Sequence, residues 1–176
     1  VYRNNNITGG GSMAVGTNSI VENNYVEAAV TITAGCTVTG NTVNGLTISG
    51  AGANVYENTI NGPVTISGAN VVFEDNIVTG TVTVNSNGNT LTGNNITSTG
   101  AYAVTINNAR SDNTVTENIL ISNGNYGDSA VSYNEANNNV VENNYPMDLD
   151  LTVTVENITV GEDAEIAIKA IDNFNG

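Results

Sequence analysis

Histidine and tryptophan are absent from this chain, cysteine occurs once, and only Arg3, Arg110 and Lys169 carry a positive charge. Without histidine the commonest general base is missing, and with it any His-ligated metal site. Three cations cannot neutralise a row of phosphates, which argues against nucleic acid as a partner. The same deficit argues against docking on anionic lipid. A lone Cys36 permits no intrachain disulfide, and burial as a small apolar residue is its expected fate. No run of about 18 apolar residues reads as a membrane span, so direct membrane insertion is not expected of this stretch. The sequence opens at Val1 partway into a repeat. It therefore reads as a piece of a longer protein whose targeting and anchoring segments lie elsewhere.

Charge is scarce altogether. Charged residues make up 11% of the 176, against roughly 25% in typical proteins, and 17 acids against three cations leave a net charge of −14. Aromatics are thin too, with seven Tyr and two Phe. A globular core of ordinary thickness calls for more large side chains. A stack of thin coils needs small and β-branched ones, and Val, Ile, Thr, Asn and Gly dominate this chain. The length fits one domain with a fragment of a second.

What is present repeats. The pattern apolar-x-x-Asn-x-apolar recurs with Asn23, Asn41, Asn58, Asn76, Asn94, Asn118 and Asn143 as pivots, at separations of 18, 17, 18, 18, 24 and 25 residues. Three residues before the pivots stand Ile20, Val38, Val55, Phe73, Leu91, Val115 and Val140; two after stand Tyr25, Val43, Ile60, Val78, Ile96, Leu120 and Tyr145. A second motif, apolar-x-apolar with Thr usually central, falls between pivots: Met13/Val15, Val30/Ile32, Leu46/Ile48, Val64/Ile66, Val82/Val84, Val104/Ile106 and Val131/Tyr133. Its alternation is that of a strand with one buried face. Turn formers such as Asn44-Gly45, Asn61-Gly62 and Asn87-Gly88 separate the motifs.

One such coil cannot bury its apolar face alone, but stacked coils can, with like strands in parallel register about 4.8 Å apart. The reading is an all-β, right-handed, single-stranded parallel β-helix of the pectate-lyase-like kind, with about seven coils over residues 1–145. Stacked pivot amides, which both donate and accept, are expected to form a structural Asn ladder. A hexapeptide solenoid would need an apolar residue every six positions, and a calcium-binding nonapeptide solenoid would need G-G-x-G-x-D repeats; neither pattern occurs.

The coils are unequal. Extra residues at Thr97–Ala103 and Ile121–Ala130 fall at the same edge of consecutive coils, and a smaller excess at Asn107–Thr114 falls at another corner. Insertions on one side of a solenoid are frequently its binding face. The larger pair is expected to form a lip carrying Tyr102, Tyr126, Asp128 and Ser129, with Arg110 and Asp112 projecting from the neighbouring corner. Tyrosine beside short polar groups suits sugar rings, which stack on an aromatic face and hydrogen-bond at their edges; the other reading of the insertions is a tolerated loop excursion that covers the core.

After Pro146 the pattern changes. Leu149, Leu151, Val153 and Val155 alternate with polar residues, and Ile158, Val160, Ile166 and Ile168 continue the strand character. Residues 146–176 read as a linker and the truncated start of an immunoglobulin-like β domain, which in full needs about 100 residues.

The V-x-x-N-x-I coils of residues 1–145 and the segment Leu-Thr-Val-Thr-Val-Glu-Asn-Ile-Thr-Val-Gly-Glu-Asp-Ala at 151–164 together resemble the adhesin-like surface proteins of methanogenic archaea, which join right-handed β-helix repeats to Ig-like domains. The resemblance covers nearly the whole chain. It implies an extracellular, cell-anchored protein; glycans or other cell-surface polymers, which the lip suits, are the expected contacts. Asn6, Asn95 and Asn157 head N-x-[ST] sequons compatible with surface glycosylation.

Similar coils also occur in polysaccharide lyases and hydrolases, so the coil alone names a fold and not an activity. A lyase needs a basic proton abstractor, and Arg110, the only basic residue within the coils, could serve beside Asp112, but the two read rather as a surface ion pair. A hydrolase needs two carboxylates across a bond. Glu74 and Asp75 are adjacent, so in a strand they point to opposite faces, while Glu22, Glu57, Glu117 and Glu142 precede pivots as a solvent-facing row. The Gly-His-Gly element of such hydrolases is missing. Asp112, Asp128 and Glu135 are scattered, so no metal site and no cofactor is assigned. The expected function is a stalk and weak glycan-binding module of a surface adhesin. The alternatives are a carbohydrate-active β-helix enzyme and a purely structural spacer.

Overall fold

The computed structural model describes residues 1–146, together with the backbone of two strands, Leu149–Val155 and Ile166–Asp172. Residues 1–146 form a parallel β-solenoid without α-helices, and each coil lays down strands on three faces. The first face is an eight-stranded parallel sheet. Its inward column runs Val21, Val38, Val55, Phe73, Leu91, Val115 and Val141, each paired with the next. Those pairings make six full turns, a rise of about 29 Å at about 4.8 Å per turn.

The other two faces belong to one 12-stranded sheet, because Tyr25–Ile32 and Thr42–Ile48 run through the corner between them. The second face turns Val26, Val43, Ile60, Val78, Ile96 and Leu120 inward. On the third, the apolar-x-apolar pairs from Met13/Val15 to Val104/Ile106 are buried, each in register with the same pair one coil on. Stacked apolar columns from three faces meet in a single core. Cys36 is buried in it as a free thiol, as expected.

The Asn ladder exists, shifted by one residue at both ends. Each rung donates from its backbone N–H and its Nδ2–H to the Oδ1 of the next, through Asn24, Asn41, Asn58, Asn76, Asn94, Asn118 and Asn144. Asn5 makes the same two bonds to Asn24. Each Nδ2 from Asn41 to Asn144 also reaches a backbone carbonyl of the preceding coil, such as Val21 O or Val115 O. The rung amides are therefore buried and fully bonded, which is the condition for a polar group inside an apolar stack.

Asn23 and Asn143 are not rungs, contrary to the spacing. They occupy the left-handed corner position just before the rung, at φ 54° and 58°. Glu57, Asp75 and Glu117 hold the same conformation there at φ 57°, 52° and 59°, and Gly40 and Gly93 supply it at no steric expense. Where Asn stands at both the corner and the rung, the sequence pattern cannot choose between them. The one-residue shift reverses the facing of everything around it, because side chains in a strand alternate. Ile20, Tyr25, Val140 and Tyr145, read above as core, are exposed, and Val21 and Val26 fill the core in place of the first two. The acidic row divides likewise: Glu57 and Glu117 sit at corners, while Glu22 and Glu142 lie in strands of the first face.

A second ladder stands at the corner between the third and first faces. Asn89 donates to Asn113 Oδ1, and Asn113 to Asn139 Oδ1. Earlier coils fill this column with Cys36, Ala53 and Val71, all buried. Leu149–Val155 and Ile166–Asp172 pair antiparallel, Leu149 opposite Asp172 and Val155 opposite Ile166. The remainder of the 146–176 reading, including Ile158, Val160 and the Asn157 sequon, lies outside the described residues.

Candidate functional site

The two larger insertions do stack on one another. Asn123 N–H donates to Gly100 O, while Ser122 Oγ and Asn125 Nδ2 both donate to Ala101 O. Their polar groups, however, are engaged within the protein. Asp128 is only 7% exposed, and its Oδ1 accepts from Asn144 N–H at 3.0 Å and from Asn144 Nδ2. It occupies the place a further ladder Asn would take. A carboxylate can accept these bonds and donate none onward, so the ladder closes there. Ser129 accepts from Tyr126 N–H and donates to Tyr126 O, pinning the short 3₁₀ turn Gly127–Ala130. Gly127 adopts φ 56°, and a Cβ there would stand 2.6 Å from Pro146 O and 2.8 Å from Asn144 O. The insertion is folded over the last coil as a closure in which Asp128 and Ser129 both have hydrogen-bond partners within the protein.

Arg110 and Asp112 sit at the other corner, between the third and first faces, and the structure does not pair them. Asp112 accepts from Ser111 Oγ and Asn138 Nδ2. Those bonds, that from Asn138 foremost, hold its carboxyl below the ordinary carboxylate range. Arg110 contributes its backbone oxygen to Asn139 Nδ2, and its Nε is buried without a hydrogen-bond partner. The ion pair among the described residues is instead Arg3 with Glu22, on the first face. Tyr133 is half-buried under this end of the stack, and burial, followed by Glu135 and Asp128, raises its phenol above the usual value. These groups brace two neighbouring corner loops together.

The tyrosines behave differently. Tyr126 is 47% exposed and Tyr145 43% exposed. Tyr145 pairs with Ile119 and Tyr126 with Ile121. Ile119 and Ile121 are two residues apart in one strand and share its outer face, and paired residues on neighbouring strands share a face as well. The two tyrosines therefore stand side by side on the second face, with Cα atoms about 7 Å apart by the rise of a strand. Ile119, 44% exposed, lies beside them, and Ile77, 54% exposed, stands two rungs along the same column with Asn95 between. Tyr102 is exposed on the insertion stacked against the one carrying Tyr126.

Insertion length pointed to Tyr102 and Tyr126 in the sequence. Tyr145 was missed because the shifted pivot placed it in the core; Val141, partly buried against the core, and the buried Asn144 were the signal for the true register. Comparison with family models, with curated proteins and with solved structures returns no match.

Proposed function

We propose that this chain is a module of an extracellular, cell-surface adhesin-like protein: a rigid rod that presents an aromatic platform for weak contact with glycans. The observation that carries this reading is the pair Tyr126 and Tyr145, side by side and about half-exposed on one flat face. Tyrosine supplies a large, rigid contact surface with a polar tip, a combination that suits stacking on sugar rings and edge hydrogen bonding. The resemblance of the coils, and of the segment at 151–164, to archaeal surface adhesins supports the extracellular setting. The two antiparallel strands after the solenoid fit the opening of an Ig-like domain. Single contacts of this kind are weak, and a surface carrying many copies strengthens them by multivalency.

A purely structural spacer is the second reading. It is favoured by the internal use of Asp128, Ser129, Ser122 and Asn125, which leaves the insertions few free polar groups. Retention on an array of glycans and cell-wall polymers separates the two. Replacing both tyrosines, Tyr126→Ser with Tyr145→Ser, leaves the ladder closure intact, whereas deleting the insertion would remove it. Selective retention lost in the double variant supports the platform. Retention absent on a broad array leaves the spacer reading in its place.

A further inference from the structure

The third face is unlike the other two. Its outward column runs Thr31, Thr47, Thr65, Thr83, Thr105 and Ser132, in unbroken register over six rungs. Two residues further along each coil a second polar column begins: Thr33, Ser49, Ser67, Asn85, Asn107 and Asn134. Neither column holds a charged or large apolar residue. The fold does not impose this, because the first face carries Arg3, Glu22, Glu74 and Glu142 in its outer columns and the second carries Tyr25, Ile77, Ile119 and Tyr145. The ten acids of residues 1–146 all fall outside these twelve positions.

The hydroxyls of the first column are also free. In the second column, Thr33 donates to Val15 O, Ser49 to Ile32 O, and Asn107 Nδ2 to Asn85 Oδ1. Among the described residues, no side-chain hydrogen bond holds the hydroxyls of Thr31, Thr47, Thr65, Thr83 or Thr105, although each is half-buried and fixed by its strand. The result is a row of oriented groups, each both donor and acceptor and each with a methyl beside it, repeating about every 4.8 Å along the rod.

We infer that the third face binds an extended, uncharged polysaccharide lying along the solenoid axis. A net charge of −14 repels acidic polymers, and a face without carboxylates offers a cationic one no anchor. An extended chain of hexose rings repeats on the length scale of the rungs, so its hydroxyls meet successive threonines while its C–H faces meet their methyls. Each contact is modest, and affinity accumulates with the number of rungs spanned. This site lies on a different face from Tyr126 and Tyr145 and does not rest on them.

Affinity electrophoresis of the 176-residue chain in native gels containing barley β-glucan, galactomannan, xylan or polygalacturonate tests it. At least one neutral polymer is expected to retard the chain, more strongly as its length rises, while polygalacturonate leaves it free. Thr65→Val with Thr83→Val keeps β-branched residues in the strands and is expected to weaken retardation about tenfold through two lost hydrogen bonds. Tyr126→Ser with Tyr145→Ser is expected to leave it unchanged. The inference is overturned if no neutral polymer retards the chain, if polygalacturonate retards it equally, or if the valine variant matches the wild type. It is overturned too if retardation depends on the tyrosines alone, which would leave the platform standing by itself. Inhibition of ice recrystallisation without retardation would also overturn it and assign the face to a crystal surface.

Discussion

The Nδ2 of Asn76 donates to Asn94 Oδ1, Val55 O and Glu74 O, and its Oδ1 accepts two bonds from Asn58. Asn76→Ala would remove these bonds and strand the buried backbone N–H of Asn58, for a loss of about 3 kcal/mol in urea unfolding. Asn23→Ala should lower stability by only about 1 kcal/mol, the expense of a Cβ in the left-handed region. An asparagine at a corner and one at a rung thus differ in effect because the rung lies inside the stack and the corner outside it. Asp128 yields a second contrast. Asp128→Ala leaves the buried backbone N–H of Asn144 without an acceptor and removes one partner of its Nδ2, and should lower stability by about 2 kcal/mol. Asp128→Asn keeps the acceptor and should lie within about 0.5 kcal/mol of the wild type, with glycan retention unaltered. Loss of retention in Asp128→Asn would return that residue to the binding site.

Among the elements, the strands were the most legible part. Six of the seven apolar-x-apolar motifs became strands with both outer residues buried, because alternation over a stacked core admits one facing; in the last, Val131/Tyr133, the strand stops at Ser132 and Tyr133 is half-buried. The corners were less legible. Asn tolerates the left-handed backbone and also stacks as an amide, so runs such as Asn23-Asn24 and Asn143-Asn144 fit two registers until the facing of Val21 and Val141 is weighed. The second ladder was hidden for another reason: its column is Cys36, Ala53 and Val71 before it becomes Asn89, Asn113 and Asn139, so no single residue type repeats along it. The closure by Asp128 was beyond reach of the pattern, since it depends on an insertion folding back over a later coil. Glycines at the turns have equally specific partners. A Cβ on Gly68 would stand 1.9 Å from Gly50 O, whereas one on Gly11 meets nothing within 4 Å. Gly68→Ala should therefore lower stability by about 2–3 kcal/mol through forced separation of neighbouring coils, and Gly11→Ala should leave it unchanged or raise it by about 0.5 kcal/mol. Thermal unfolding of the two variants checks the difference.

At the scale of the whole molecule, the solenoid sorts its side chains by face: charge on the first, aromatic and aliphatic groups on the second, free hydroxyls on the third. Its stability at low pH should be sensitive to the corner at Asp112. That carboxyl is held below its unfolded value, so the stability it contributes is complete above the unfolded pKa and disappears as pH falls through the lower folded one. The difference in melting temperature between wild type and Asp112→Asn should be constant near neutrality and narrow below about pH 4. A difference that stays constant down to the acid limit would contradict this. The ladder also gives the rod a direction. Each coil presents two donors toward its C-terminal neighbour, and the backbone N–H of the pair finds its partner only when that neighbour's Asn Oδ1 arrives. A chain emerging N-terminus first would therefore assemble as a relay. Every finished turn is a template with an unmet demand, each new turn answers it and passes it on, and the carboxylate of Asp128 ends the sequence by receiving without asking for more.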